Sequence, residues 1–231
     1  MMFADTIKQW DINLLLALNG SECAYLDGIM WTITHTSTWL LLFCAIFYLI
    51  IKSNDFRTSL LVFLLVALLI TVADQVASGI CKPLFQRLRP THDPVVGSMI
   101  EIVNGYKGGR YGFFSSHASN TFAAAAFFSL LFNKKSFTII LYIWAALCTY
   151  SRLYLGVHYP SDVIVGMGFG VLCGIVFYEL YLFSIKVISR YKPLRGGKTG
   201  EPKHDFPVLL FSFALTGVYI LIRARWYADS F

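Results

Sequence analysis

The 231-residue chain is dominated by apolar segments, each about as long as an α-helix must be to cross the hydrocarbon core of a bilayer. Six membrane spans are predicted, at residues 27–51, 58–81, 115–132, 136–155, 162–185 and 206–222. Hydrophobic residues make up 57% of the chain and charged residues 14%, against roughly 45–50% and about 25% in soluble domains. The sequence therefore predicts one all-α domain over residues 1–231, a polytopic membrane helical bundle, and excludes an ordinary soluble enzyme.

The start of the chain predicts an amphipathic helix over residues 4–19 that lies in the membrane interface. Apolar side chains recur there at helical spacing, at Ile7, Trp10, Leu14, Leu15 and Leu18. The rest of the helical wheel is polar and includes Lys8, Gln9, Asp11 and Asn13. Because charges interrupt the apolar run, the segment does not resemble a secretory signal peptide.

The basic residues indicate which side of the membrane each connector occupies. Lysine and arginine cluster in three connectors that fall on one side, at residues 52–57, 134–135 and 186–205. The positive-inside rule assigns that side to the cytoplasm, so connectors 82–114 and 156–161 face the periplasm. Nine of the 19 basic residues then lie outside, and several of them belong to the motifs described next. Connector 82–114 is long and rich in proline and glycine, so we expect a structured loop or a lid.

Three short motifs carry the unusual polar residues of the chain. In chain order they read Lys82-x6-Arg89-Pro90, Ser115-Ser116-His117 and Ser151-Arg152-x5-His158-x3-Asp162. No crossing separates the first motif from the second, and two crossings separate the second from the third. We therefore expect all three motifs to converge at headgroup depth on one membrane face.

The basic members of these motifs suit a phosphate group. Arginine offers a planar fork of donors and lysine a compact charge, so Lys82, Arg89 and Arg152 are predicted to bind phosphate oxygens. Ser115 or Ser116 adds a hydroxyl or backbone donor near a helix start, where free N–H groups favour anions.

The histidines can supply the chemistry. Of His117 and His158, one can attack phosphorus as a nucleophile while the other protonates the leaving oxygen. Asp162, four residues after His158, can hold the imidazole tautomer. The motifs offer too few carboxylates for Mg²⁺ or Zn²⁺, so we expect no metal and no other cofactor. The basic side chains themselves can offset charge on the transferring phosphoryl group.

The order, spacing and span positions of the three motifs resemble the type 2 phosphatidic acid phosphatase (PAP2) superfamily, over roughly residues 60–185. The resemblance implies that His158 is the nucleophile and forms a phosphohistidine, that Asp162 orients it, and that His117 is the general acid. It also implies that the phosphate oxygens are held by Lys82, Arg89, Ser115 and Arg152, with Ser116 beside them. The family's second motif is commonly Pro-Ser-Gly-His, whereas this chain reads Phe114-Ser115-Ser116-His117.

The resemblance further implies a lipid phosphatase of the bacterial inner membrane whose site faces the periplasm. Undecaprenyl diphosphate is the favoured substrate on analogy, with phosphatidylglycerophosphate, phosphatidic acid and lipid A phosphates as alternatives. The expected partners are the lipid substrate and the bilayer, with no nucleic acid and no required protein partner. A competing hypothesis is a transporter of anionic lipids, but the internal repeats common in transporters are not visible in this sequence. A third hypothesis is a haloperoxidase-like protein that uses the same pocket with vanadate.

Residues outside the motifs carry weaker expectations. Asp74, His92 and Tyr154 are predicted to support the site, and Asp74 in particular can brace Lys82 or Arg152 from inside the second span. Arg87 is interpreted as a membrane anchor or a loop charge. Small residues spaced by four predict a helix-packing face on the fifth span, at Gly166, Gly170 and Gly174.

Overall fold

Within residues 2–191, the helices follow one another through short connectors, except for the long second connector. The computed structural model describes residues 2–191 and 206–229. Its helices are α1 (Met2–Leu18), α2 (Ala24–Thr34), α3 (Leu40–Ser53), α4 (Phe56–Asp74), α5 (Lys82–Phe85), α6 (Ser116–Phe132), α7 (Lys135–Tyr154), α8 (Pro160–Tyr191) and α9 (Phe206–Ala228). Over these residues the all-α prediction is confirmed. Most of the predicted cytoplasmic connector 186–205 lies outside the described residues.

Five helical segments among the described residues are long and apolar enough to cross a bilayer. They are Thr36–Ser53, Phe56–Phe85, Lys135–Tyr154, Pro160–Ile188 and Phe206–Ala228. These segments confirm a helical membrane protein and correspond to five of the six predicted spans. The remaining predicted span, α6, has 17 residues and is mostly buried among its neighbours.

The first predicted span, residues 27–51, is wrong as a single continuous helix. α2 ends before His35, which has an extended backbone conformation, and a 3₁₀ turn over Thr36–Trp39 leads into α3. A carbonyl freed by this break is satisfied locally, because Thr38 Oγ1 donates to Thr32 O at 2.6 Å. Threonine and serine hydroxyls compete with the helix for such partners, and this polar run interrupts an otherwise apolar segment.

The second predicted span, residues 58–81, is part of a longer helix with a change of winding. α4 continues into a π-helical segment over Gln75–Cys81, and α5 follows directly. Such π segments often occur at functional sites. Here the segment ends immediately before Lys82, the first residue of the first motif.

α6 lies at the centre of the bundle and packs against α8, α7 and α4. A Cβ at Gly166 of α8 would lie 2.6 Å from Ser115 O, and one at Gly170 would lie 2.3 Å from Ser119 O. Gly174 continues the same contact one turn further on. The predicted packing face is therefore confirmed, and only glycine permits this approach of the two backbones. Since Gly166 meets the residue preceding α6, the same contact fixes the second motif against α8.

α1 packs on the long connector, residues 82–114, through one apolar face. Leu15 is fully buried and forms a small cluster with Val96, Ile100 and Tyr159. The predicted helix is present, while its placement in the membrane interface stays a prediction. The assignment of Asp11 to the polar face is wrong, because Asp11 is only 1% exposed. Residues four apart share a helix face, and Asp11 stands four residues before Leu15.

The long connector is folded into a series of short turns, which confirms the expectation of a structured loop. Its 3₁₀ turns are Pro90–His92, Val96–Ser98 and Val103–Gly105. Its two ends pair with each other, because Arg89 N donates to Arg110 O at 3.0 Å and Gly112 N donates to Arg87 O at 2.8 Å. This pairing holds the segment around Arg89 in an extended conformation.

We expect Gly170→Ala to destabilise the bundle by about 1–3 kcal/mol, the usual cost of overpacking. The added Cβ would lie 2.3 Å from a backbone oxygen of α6, which has no room to move aside. Gly168→Ala is the matched control, because a Cβ there meets nothing within 4 Å. Thermal unfolding of both variants in detergent measures the difference, and equal melting temperatures would contradict the packing argument.

Candidate active site

Arg89 is held beside His158 by backbone groups of two segments. The side chain is 8% exposed, with Nε donating to Tyr111 O at 3.1 Å and Nη1 donating to Val157 O at 3.2 Å. Nη1 also lies 3.2 Å from His158 Nε2. Burial and the nearby charge of Arg152 lower the pKa of Arg89 to about 10, which leaves the guanidinium charged at neutral pH.

Lys82 connects the first motif to the second. Its Nζ donates to Ser78 Oγ at 2.9 Å, one turn earlier in the same continuous helix. It also donates to Ser116 Oγ at 3.2 Å, at the first residue of α6. Both acceptors are neutral hydroxyls, so the positive charge of Lys82 is positioned without being cancelled by them.

Arg152 lies at the end of α7 and is 2% exposed. Nη1 donates to Thr34 Oγ1 at 2.5 Å, and Nη2 donates to the Tyr106 hydroxyl at 3.1 Å. Burial of Tyr106 opposes its ionisation, but the charge and hydrogen bond of Arg152 outweigh this and lower the pKa of Tyr106. Arg152 Nε is buried without a hydrogen-bond partner, which leaves a donor for a ligand. The helix break before His35 is what brings Thr34 to this position.

His158 and Asp162 form a buried pair at the back of the site, both 0% exposed, with His158 Nδ1 3.5 Å from Asp162 Oδ2. Because Arg89 can only donate, its contact with Nε2 requires a lone pair there and places the imidazole proton on Nδ1. Burial and the charges of Arg89 and Arg152 lower the pKa of His158 well below its ordinary value. The ring is therefore neutral, with a nucleophilic nitrogen facing the cations and an N–H facing the carboxylate.

The start of α6 is tied to the start of α8. Ser115 Oγ caps α6 by accepting from Ala118 N at 3.4 Å, and Ser115 N donates to Asp162 O at 3.0 Å. The Ser115 hydroxyl is fully buried in this cap. A contact of Ser115 or Ser116 with phosphate stays a prediction.

His117, on the first turn of α6, borders a mostly apolar cavity of about 420 Å³. The cavity extends between α3, α4, α6 and α7, where its lining includes Phe43, Phe128 and Trp144. His117 also lies within electrostatic range of His158 and of the three cations. One end of the cavity is therefore at His117, and the rest offers apolar surface of the kind a hydrocarbon chain contacts.

Asp74, predicted to brace a cation, lies on the wall of this cavity. Its Oδ1 accepts from Asn120 Nδ2 at 3.4 Å, and its charge acts on Lys82. The structure thus places Asp74 near the site without a direct ion pair to Lys82.

The two other predicted supporting residues differ in their placement. His92 Nε2 lies 3.3 Å from Gly108 O, in the part of the connector that covers Arg89. Tyr154 is not brought to the site, because its hydroxyl points away and donates to Asp27 Oδ1 of α2 at 2.6 Å.

Sequence reasoning missed two residues behind the site, Arg87 and Asp11. Arg87 is not a membrane anchor, because it forms ion pairs of 2.7 Å with both Asp162 Oδ1 and Asp11 Oδ2. The spacing of Asp11 from Leu15 was the signal that could have placed it on the buried face of α1. Arg87 offered no comparable signal.

Comparisons with known proteins identify the family of the chain. The family model of the PAP2 superfamily matches residues 60–186, more than half of the chain. The lipid A 4′-phosphatase of Porphyromonas gingivalis is 36% identical over 178 residues, covering 77% of this chain and 75% of that protein. That of Bacteroides thetaiotaomicron is 33% identical over 211 residues, covering 91% of this chain and 94% of that protein. No solved structure gives a significant match.

A further relative is similar over a shorter part of the chain. The decaprenylphosphoryl-5-phosphoribose phosphatase of Mycobacterium tuberculosis is 35% identical over 95 residues, covering 41% of this chain and 48% of that protein. The family model covers more than half of the chain, and the two lipid A 4′-phosphatases each cover more than two thirds of it. The chain therefore belongs to the PAP2 superfamily and is a phosphatase.

Proposed function

We propose that this protein hydrolyses the phosphate of a membrane lipid through a phosphohistidine, without a metal ion. The observation that carries the proposal is the orientation of His158. Its Nε2 faces Arg89, with Arg152 and Lys82 close enough for their charges to act on it, and its Nδ1 faces the carboxylate of Asp162. A buried, neutral imidazole oriented in this way is a nucleophile that is ready to react at neutral pH.

The reaction proceeds in two transfers of the phosphoryl group. First, the lone pair of His158 Nε2 forms a P–N bond as the P–O bond to the lipid breaks, and His117 donates a proton to the departing oxygen. The Nδ1–H of His158 then binds Asp162 more strongly, because the ring has become cationic. Water next attacks phosphorus, the P–N electron pair returns to Nε2, and the neutral His117 accepts the proton from water.

The cations hold the phosphate through both transfers. Lys82, Arg89 and Arg152 donate in the resting site to neutral oxygens and to the imidazole, so they exchange weak acceptors for charged phosphate oxygens. Charge on the transferring group is stabilised by donors that are already in position, the arrangement that contributes most to this class of catalysis.

A lipid substrate is supported by the cavity that begins at His117. A phosphate at the cations would place its organic substituent at the mouth of this apolar cavity, among α3, α4, α6 and α7. An acyl or prenyl chain can bury its apolar surface against this cavity, whereas a small soluble phosphate ester lacks such surface.

Among lipids we propose a phosphate of lipid A as the substrate. Relatives named lipid A 4′-phosphatase align with 94% and 75% of their own lengths. These alignments cover most of the chain, whereas the analogy that favoured undecaprenyl diphosphate came from the motifs alone. Lipid A is therefore the first candidate substrate, and undecaprenyl diphosphate is the second.

The proposal includes a membrane topology. With 17 residues α6 reaches the lower limit of a bilayer span, about 17–25 residues, and its crossing gives six spans in one domain. The basic connectors then face the cytoplasm, and the three motifs face the periplasm across the inner membrane.

We expect His158→Ala to abolish phosphate release from lipid A, since no other group can form the intermediate. Wild-type protein should retain its rate in EDTA, because the three cations stabilise the transferred charge. Lys135→Gln, a change at an exposed residue at the start of α7 and outside the motifs, should keep full activity. Phosphate release by purified protein measures all three, and either a His158→Ala enzyme with wild-type activity or loss of activity in EDTA would refute the mechanism.

The resting state of His158 is testable without substrate. Because burial and neighbouring cations lower the pKa of His158, the ring should stay neutral at pH 6, below the ordinary midpoint of about 6.5. Nitrogen NMR of ¹⁵N-histidine-labelled protein, compared with His158→Asn for assignment, should show a neutral ring protonated at Nδ1. An imidazolium at neutral pH would contradict this arrangement.

A substrate panel separates the lipid candidates. We expect the highest kcat/KM with lipid A, and lower values with undecaprenyl diphosphate, phosphatidylglycerophosphate and phosphatidic acid at equal molar fraction in mixed micelles. Phosphate release at several concentrations of each lipid gives the comparison. A higher kcat/KM for undecaprenyl diphosphate would restore the first expectation from sequence.

A further inference from the structure

We propose that Arg87 and Asp11, which lie outside the three motifs, are positioning residues that hold Asp162 in the orientation required by His158. The inference rests on the proposed function, because it assigns a role within that mechanism. It makes α1 a part of the catalytic apparatus, although α1 contributes no group that touches the substrate.

Arg87 is fixed by contacts on several sides. Its Nη1 donates to Asp162 Oδ1 at 2.7 Å and to Ser161 Oγ at 2.6 Å, and its Nη2 donates to Asp11 Oδ2 at 2.7 Å. The guanidinium also lies over the Tyr159 ring, 4.3 Å from the centroid. A planar fork shared between two carboxylates allows little rotation.

Asp11 anchors the other end of this network on the start of α8. Its Oδ1 accepts from Ser161 N at 2.8 Å, and its Oδ2 accepts from the Ser161 hydroxyl. Asp11 is 1% exposed, so this buried carboxylate depends on Arg87 and Ser161 for its stabilisation. The cluster of Leu15 with Tyr159 holds α1 in place beside it.

The consequence for the reaction lies in how the two oxygens of Asp162 are used. Arg87 occupies Oδ1, which leaves Oδ2 to accept from Tyr159 N at 3.1 Å and to face His158 Nδ1 at 3.5 Å. Without Arg87 the carboxylate would be free to rotate, and it would lack the cation that offsets its charge. His158 would then lose the partner that fixes its tautomer and stabilises the ring once it is phosphorylated.

Arg87 is not positioned to be a phosphate ligand. Both of its Nη groups are engaged with carboxylates, and it contacts Asp162 rather than Nε2 of His158, where phosphorus would be attacked. Its removal should therefore slow the chemical step and leave binding of the phosphate unchanged. This separates Arg87 from Lys82, Arg89 and Arg152.

We expect Arg87→Gln and Asp11→Asn each to lower kcat by about 10- to 100-fold, the effect usual for residues that orient a reacting group. KM and the inhibition constant of vanadate, a phosphate analogue, should change by less than about twofold. Arg110→Gln and Glu22→Gln are matched controls, because each removes the same kind of charge from an exposed position. Arg110 lies on the long connector, and Glu22 lies shortly after the end of α1. Both should keep wild-type kcat.

Chemical rescue provides a second readout. Arg87 is 29% exposed at an opening lined by Lys8, Asp93 and Tyr159, so a small cation can reach its position. Guanidinium at concentrations far below those that unfold proteins should restore part of the kcat of Arg87→Ala. The same ionic strength of sodium chloride should not, and guanidinium should not activate Asp162→Ala.

The possible failures are distinguishable. A wild-type protein that releases no phosphate from lipid would refute the proposed function, whereas an active wild type with unchanged kcat in Arg87→Gln would refute only the inference. A rise in KM and in the vanadate constant equal to the loss of rate would make Arg87 a phosphate ligand and also overturn it. Loss of vanadate binding in both variants, without guanidinium rescue, would reduce the network to a folding element and overturn it as well.

Discussion

Three neighbouring positive charges, two of them on buried arginines, are the constraint on which the rest of this structure depends. Their mutual repulsion is visible in Arg89, whose pKa is lowered by burial and by the charge of Arg152. The charges are nevertheless held by hydroxyl and carbonyl oxygens, which orient a cation without neutralising it. Under the proposed function, these unfavourable electrostatics become favourable with a bound phosphate, since its oxygens can replace these weaker partners.

This arrangement requires that nearby carboxylates be kept from pairing with Lys82, Arg89 and Arg152. Asp162 must lie close to His158 but must not form an ion pair with Arg89, and Arg87 achieves this by binding the opposite oxygen. The buried carboxylate of Asp11 is held by the same guanidinium. Arg87 therefore binds both carboxylates, and His158 lies between Asp162 and Arg89.

The motif residues and their convergence could be predicted from the sequence, because the spacing of motifs on spans determines which membrane face they reach. The break at His35 was not predictable from hydropathy, since the strongly apolar residues around it conceal a short polar run. That break matters chemically, because it brings Thr34 to Arg152. Asp11 was assigned to the wrong face because a charge on an amphipathic helix is normally solvated, and tertiary pairing overrode that rule. Arg87 was interpreted as a membrane anchor or a loop charge because a single charge in a connector is normally solvated, and its pairing with Asp162 and Asp11 overrode that rule as well.

The geometry of the long connector explains how two arginines contact the His158–Asp162 pair. Arg87 and Arg89 flank Leu88, which pairs with Tyr111 in an antiparallel bridge, so the segment is extended. In an extended chain, residues two apart point to the same side and lie about 6.5–7 Å from each other. Arg89 contacts the Nε2 end of the His158–Asp162 pair and Arg87 contacts the carboxylate end, so a single extended segment holds this pair from both ends.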